Sequence, residues 1–249
     1  MKIQRYRDLS LLYLDEQKIL VTACDSCGAV GMKPHDMLFS TPEVTGALTA
    51  RVALMEVMCT GAKVQCIYNT LSCEMHPTGE RIIAGIHSEL EKAGLDAELL
   101  SGSTEENFQT LMTATGVVAI GLCEEKPRLG EVKAGNVAVL IARPKSGAQI
   151  KQPVDDDLVS YEEIKTLLQM EGVREIVPCG SKGVLYEAKQ IAECSDLKFV
   201  TTESDDELLH ASAGTATCAV VAIDRGHIET LISSIGADRA RTIGFYEES

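Results

Sequence analysis

The sequence predicts an α/β protein of mixed α+β type, built as two layered α/β domains. Two observations carry this expectation. Strand-length apolar segments alternate with longer segments of helical periodicity along the chain, which is the pattern of helices packed on sheets. A charged stretch with Pro127 and Gly130, Glu124 to Ala134, then interrupts that alternation near the middle. The expected domains are residues 1–130 and 131–249, and 45% hydrophobic residues supply a core for each. No repeat of fixed short period runs through the sequence.

Ile19 to Cys24 reads as a strand, ending on Asp25 and followed by a turn with Gly28 and Gly31. Thr41-Pro-Glu opens a helix to about Thr60, with Val44, Leu48, Val52, Met55 and Cys59 at helical spacing and Gly61 as its stop. Val64 to Leu71 is a strand. Pro77-Thr-Gly-Glu starts a second long helix with Ile83, Ile86, Leu90 and Ala93 on one face and Gly94 at its end. Ala97 to Leu100 and Thr115 to Leu122 complete a β-α-β-α-β-β first half. The second half predicts strands at Val137–Ala142, Glu175–Pro178, Phe199–Thr202, Cys218–Ile223 and Arg241–Tyr246. Its helices are expected at Tyr161–Met170, Gly183–Cys194, Asp205–Ala211 and His227–Ile235, and Lys145 to Asp157 is expected to be a polar loop.

A net charge of −14 argues against a nucleic-acid partner, and 4% aromatic residues without tryptophan leave few stacking platforms for single strands. An anionic ligand would need metal ions or a local cationic pocket. Nine cysteines scattered through apolar runs suit a reducing cytosol. The basic N-terminus lacks the apolar run of a secretory leader, and no segment approaches the ~18 apolar residues of a membrane span. A cytoplasmic protein without membrane contact is expected.

The segment Leu20-Val-Thr-Ala-Cys-Asp-Ser-Cys-Gly-Ala-Val-Gly-Met-Lys33 concentrates the chemistry. A carboxylate at a strand end can hold a metal ion, glycines let backbone approach a ligand, and a lysine beyond them can meet phosphate oxygens. Asp25 can equally cap a turn. Glu56 sits among Met55, Val57 and Met58, at the edge of the apolar stripe, and is either a surface residue or a carboxylate buried for a purpose. Ser103-x-x-Glu106 fits a helix capping box as well as a ligand loop. Cys24-x-x-Cys27 lacks the second pair that a zinc site needs. His35 reads as a loop residue or a phosphate contact, and Asp155-Asp-Asp157 as a solvated loop.

Together these segments resemble the superfamily of ATP-binding enzymes typified by aminoimidazole ribonucleotide (AIR) synthetase, the PurM type, and thiamine-monophosphate kinase. Asp25 to Lys33 resembles the superfamily's Asp-Gly-x-Gly-x-Lys segment. Ala53-Leu-Met-Glu-Val-Met-Cys-Thr-Gly-Ala62 resembles its metal-binding helix, with Glu56 on the metal-binding Asp and Met55 replacing an Asn. Leu100-Ser-Gly-Ser-Thr-Glu-Glu106 resembles its Gly-Gly-Glu-Thr-x-Glu loop, with Ser103 in place of the first Glu. Val177 to Ala188 and Ser212 to Val221 match more weakly. Glu74-Met-His-Pro-Thr-Gly-Glu-Arg81 and Ser101 to Asn107 are also similar to the α-ribazole kinases of cobalamin salvage.

The resemblance implies a PurM-like two-domain architecture, a homodimer whose first domains close one barrel, and a kinase moving the γ-phosphate of ATP onto a nucleoside hydroxyl, with Mg²⁺. It assigns Asp25, Glu56 and Glu106 to metal, and Asp25, Ser26, Gly28, Gly31, Lys33 and Thr104 to nucleotide. Asp25, Lys33 and Glu56 would be the catalytic set, with Asp36 and Glu74 as candidate general bases. A synthetase or thiamine-phosphate kinase of the same superfamily, and a non-catalytic ATP-binding protein, are the alternatives. The glycine-rich N-terminal arm of the superfamily is absent, and the second domain is short for it.

Overall fold

The computed structural model describes residues 2–152, 155–202 and 207–249. The chain divides into two compact units, one of residues 1–58 and 62–125, the other of residues 59–61 and 126–249.

The first unit opens with a hairpin of β1 (Lys2–Tyr6) and β2 (Leu9–Tyr13), which the sequence reading missed. β3 (Ile19–Gly28) follows, then the short pair β4 (Val30–Gly31) and β5 (Leu38–Phe39), and α1 (Pro42–Met58). β6 (Lys63–Leu71) leads through a π-helical turn, Met75–Gly79, into α2 (Glu80–Ala93). Gly94 ends α2 with φ +71°, the left-handed conformation expected of it. The segment expected to be a strand from Ala97 begins instead as a 3-10 turn, Ala97–Leu99, capped by Asp96. The strand proper is β7 (Leu100–Thr104), and β8 (Ala114–Cys123) closes the unit.

Six of these strands form one sheet in the order β1-β2-β3-β8-β6-β7, antiparallel except for the parallel pair β6–β7, and β4 and β5 form a separate parallel pair. β8 alternates buried and half-exposed along its length, so one sheet face is covered and the other is more open. α1 packs on the covered face against β3 and β8, and α2 packs on α1. That double covering buries α1 on most sides and blurs the single apolar stripe expected for it. The two helices come together at glycines: a Cβ on Gly46 would lie 2.1 Å from the Ile82 carbonyl oxygen, and one on Gly85 would lie 1.8 Å from that of Glu43. Arg51 and Glu89, both buried, pair across this crossing at 3.1 Å.

The second unit is a five-stranded antiparallel sheet, in the order β10-β12-β9-β13-β11. Its strands are β9 (Val137–Ile141), β10 (Val173–Pro178), β11 (Leu197–Thr201), β12 (Ala219–Ile223) and β13 (Ala240–Glu248). Between them lie α3 (Tyr161–Gln169), α4 (Val184–Cys194), α5 (Glu207–His210) and α6 (Ile228–Ile235). Every residue of β9 and β12 is buried, so the sheet is covered on both faces at its centre, which explains their unbroken apolar runs. Ser160 and Glu163 cap α3 reciprocally, at 3.1 and 2.7 Å. The start of the helix expected from Asp205, and residues 153 and 154 of the polar loop, lie outside the described residues. Within that loop Asp155 is not a solvated side chain as expected, because it is buried against the Lys145 ammonium at 2.9 Å. Asp157 shares the same lysine, and hydrogen bonds from Lys145 and Lys151 bring its carboxyl down to about 2.

Candidate functional site

β3 does not end on Asp25. It runs on to Gly28, and Asp25 lies within it, half-buried on the face that also carries Val21 and Ala23 and that α1 covers. Burial raises the Asp25 carboxyl above its ordinary value, opposed by a backbone hydrogen bond from Ser26. Among the described residues, no ion pair involves Asp25. Cys27, two residues on and on the same face, meets the Thr49 hydroxyl of α1. Its thiol is pushed up by burial, with the charges of Asp25 and Asp36 adding to the effect. Cys24 points to the opposite, exposed face, so Cys24 and Cys27 cannot ligate one metal together. The register places Asp25 level with Val117 of β8, Asn69 of β6 and Gly102 of β7. Asn69 is buried and donates to the Thr115 hydroxyl at 2.8 Å and the Gly116 carbonyl at 2.9 Å.

The turn expected around Gly28 is made by Ala29, with φ +59°, while Gly28 stays in the strand opposite Ala114. Ala29 donates to the Thr113 carbonyl at 2.8 Å and accepts from Met37 at 2.8 Å, binding the loop before α1 to the loop before β8. Asp36 is the clamp between those loops. Its carboxylate accepts from the Lys33 N–H at 2.7 Å, the Thr113 N–H at 2.8 Å and the Thr113 hydroxyl at 2.7 Å. Desolvation works to raise the Asp36 pKa, but these donors outweigh it and hold the carboxyl below its ordinary value. A Cβ on Gly31 would fall 2.2 Å from the Thr113 hydroxyl oxygen and 2.5 Å from Asp36 Oδ2, so only glycine fits beside the clamp.

Lys33 folds back from this loop. Its ammonium donates to Glu74 Oε2 at 2.6 Å and to the Thr110 carbonyl at 3.0 Å, and Glu74 Oε1 accepts from the Thr78 hydroxyl at 2.5 Å. Desolvation of Glu74 is outweighed by Lys33 and Thr78, which leaves its carboxyl below the usual range. Around these groups the two loops carry exposed apolar side chains, Met32, Met37, Phe39, Phe108, Leu111 and Met112.

The other expected residues are spread more widely. Glu56 sits on α1 with its side chain 12% exposed, 3.6 Å from Arg7 in the β1–β2 turn. Ser10 of β2 pairs with Thr22, so that turn lies on the Asp25 side of Thr22's level. Thr104 ends β7 in the row Cys27–Thr115–Leu71–Thr104, three strand spacings or roughly 14 Å from β3. Glu106 follows on the exposed loop, and no helix begins there, so Ser103 and Glu106 are not a capping box. Asp25, Glu56 and Glu106 are therefore not gathered into one cluster. Among the described residues, no three His, Cys, Asp or Glu side chains could hold one ion together. Ser26 lies on the exposed face of β3. The Asp36–Thr113 and Glu74–Thr78 contacts carry no sequence signature of their own, because each joins segments that only the fold brings together.

No helix among the described residues is long and apolar enough to cross a membrane. Residues 6–123 match the family described as AIR synthase related protein, N-terminal domain. Comparison with curated proteins finds no match. Solved structures align with nearly the whole chain. PurL of Thermotoga maritima complexed with ATP has a TM-score of 0.71 and 15% identity over 96% of this chain, and this chain spans 42% of PurL. A chain of the HypE–HypF complex has a TM-score of 0.65 and 16% identity, covering 97% of this chain and 87% of that one. AaThiL complexed with AMPPCP and TMP has a TM-score of 0.67 and 12% identity, covering 97% of this chain and 85% of that one. The chain thus has the mixed α/β PurM-like fold of these proteins, and its first unit is similar over residues 6–123 to the N-terminal domain of AIR synthase related proteins.

Proposed function

We propose that the chain is an ATP-dependent small-molecule kinase that transfers the γ-phosphate to a nucleoside hydroxyl with Mg²⁺ bound, and that α-ribazole is its acceptor. The observation that carries the reading is Asp25, a half-buried carboxylate with no cation beside it among the described residues, four residues before the Ala29 turn that leads to Lys33. Holding a desolvated carboxylate without a counter-ion costs stability, and a divalent cation would relieve that cost. Mg²⁺ keeps several waters and takes one or two protein carboxylates together with phosphate oxygens, so it does not require a preformed three-residue cluster. Bound there, the metal would neutralise charge on the transferring phosphate.

In this reading Asp25 is the principal metal carboxylate, and Glu56 and Glu106 are the further carboxylates of the set. Lys33 meets a β- or γ-phosphate oxygen, and Ser26, Thr104 and the backbone at Gly28 and Gly31 line the path of the triphosphate. Thr104 and β3 are too far apart for one ion to join, but a nucleotide lying across the sheet end can touch both. The pairing of first domains into a homodimer belongs to the same proposal, and the more open face of the first sheet is the surface it would use. The complexes of similar folds with ATP, ADP and AMPPCP support nucleotide as the ligand class. The acceptor rests on the resemblance of Glu74 to Arg81 and Ser101 to Asn107.

Titration calorimetry with ATP, with and without Mg²⁺, tests the reading. Binding that requires Mg²⁺ and is lost in Asp25→Asn is expected, and absence of binding under both conditions would end it.

A further inference from the structure

Lys33 is not waiting in an open pocket. Its side chain is only 12% exposed, and its ammonium is already held by a carboxylate and a carbonyl. The carboxylate comes from Glu74, distant in sequence, at the start of the π-helical turn before α2, and it is itself held by Thr78 of that turn. Asp36 accepts from the backbone N–H of the same lysine. The ammonium is therefore already neutralised by Glu74, the Asp36 carboxylate lies close by at the same residue's backbone, and an arriving phosphate oxygen would meet no net positive charge. A carboxylate and a phosphate compete for the same ammonium donors.

We propose that Glu74 is a displaceable internal counter-ion, occupying the Lys33 ammonium in place of a phosphate oxyanion, and that its release opens this part of the site. The inference rests on the phosphate-binding reading of Lys33 and adds to it the residue that sets the affinity. Glu74 is a positioning residue, since it acts through Lys33 and not on the reacting atoms. Release requires little rearrangement. Glu74 is 30% exposed and keeps its Thr78 partner, so its carboxylate can turn toward water while the turn holds its shape. The Lys33 backbone remains fixed by Asp36, so only the lysine side chain has to swing. The ligand that can effect this is one that brings more than one negative oxygen, or a divalent cation with it, because a single weak anion gains too little over the resident carboxylate. A polyphosphate with Mg²⁺ meets both conditions.

The test is calorimetric titration of the full chain with inorganic triphosphate and Mg²⁺. Glu74→Gln keeps the side-chain shape and a Thr78 acceptor but removes the competing charge. It is expected to bind about fivefold more tightly than the native chain, the upper range of what a partly exposed ion pair is worth. Thr78→Val, which frees Glu74 without changing charge, should also shift affinity, by less. In a Lys33→Met background the gain from Glu74→Gln should vanish, which a merely structural role for Glu74 would not produce. Unchanged or weaker binding by a folded Glu74→Gln, while the native chain binds, overturns the counter-ion role and leaves the phosphate reading standing. A gain undiminished without Lys33 also overturns it, because the effect would then be a general field. No binding by either the native chain or Glu74→Gln overturns both.

Discussion

Replacing Asp25 by Asn should make the protein more stable. The carboxylate is half-buried, raised by desolvation and relieved only by a backbone hydrogen bond. An unsatisfied buried polar group costs ~1–3 kcal/mol, and residual solvent and the Ser26 contact put Asp25 near the lower end, at about 1 kcal/mol. Asparagine has the same shape and no charge, so that cost is removed. In a chain of this size 1 kcal/mol corresponds to about 2–4 °C in melting temperature. The sign with pH follows from linkage. A raised carboxyl pKa means the folded state binds the proton more tightly, so Asp25 lowers stability progressively as pH rises from the ordinary value of 3.8 through its folded value. The advantage of Asp25→Asn should thus be full at neutral pH and absent below 3.8. Calorimetric melts of both proteins, with hydrogen exchange assigning the transition to the first unit, measure it. Mg²⁺ with ATP should then stabilise the native chain and not the variant. A variant that melts lower than the native chain at neutral pH would mean that the Asp25 carboxylate is a net stabilising part of β3 and not a group held at a cost.

Gly31→Ala drives a methyl into the Thr113 hydroxyl and Asp36. A loss of about 1–3 kcal/mol in urea unfolding is expected, partly recovered by adding Thr113→Ala. Arg51→Ala strips the buried Glu89 of its guanidinium and should cost about 3 kcal/mol by the same assay. Asp36 and Glu74 have lowered pKa values, so the stability they supply is whole above their ordinary values of 3.8 and 4.5 and is lost as pH falls through the depressed ones. Hydrogen exchange, corrected for intrinsic rate, should show the loops at residues 29–40 and 105–113 keeping their protection down to about pH 4.5 and losing it below that while α1 keeps it.

The elements that the sequence revealed are those whose packing is one-sided or whose ends carry their own chemistry. α2 shows its stripe because one face meets α1, and Gly94 marks its end. The buried strands β9 and β12 show as continuous apolar runs. The β1–β2 hairpin was hidden because it lies at the sheet edge, where β1 is exposed and its residues other than Ile3 and Tyr6 are polar or basic. The 3-10 turn at Ala97 is indistinguishable from a short strand in the sequence, because capping by Asp96 leaves no periodic trace. At the site, Asp25 and Lys33 were legible as residue types in a suggestive order. Their surroundings were not. The partners of Lys33, Glu74 and Thr110, lie 41 and 77 positions away, and Thr113 lies 77 from Asp36, so only the folded chain brings them together. Glu56 beside Arg7 is a similar case, since nothing in either segment announces the other.

Phosphorus NMR of the full chain with MgATP and a panel of nucleosides, α-ribazole and thiamine phosphate among them, addresses phosphate transfer itself. One acceptor should give a new phosphoester resonance in step with ADP, with no such signal when Mg²⁺ is chelated. ATP left intact beside every acceptor, or split to free phosphate at the same rate whichever acceptor is present, would contradict the account.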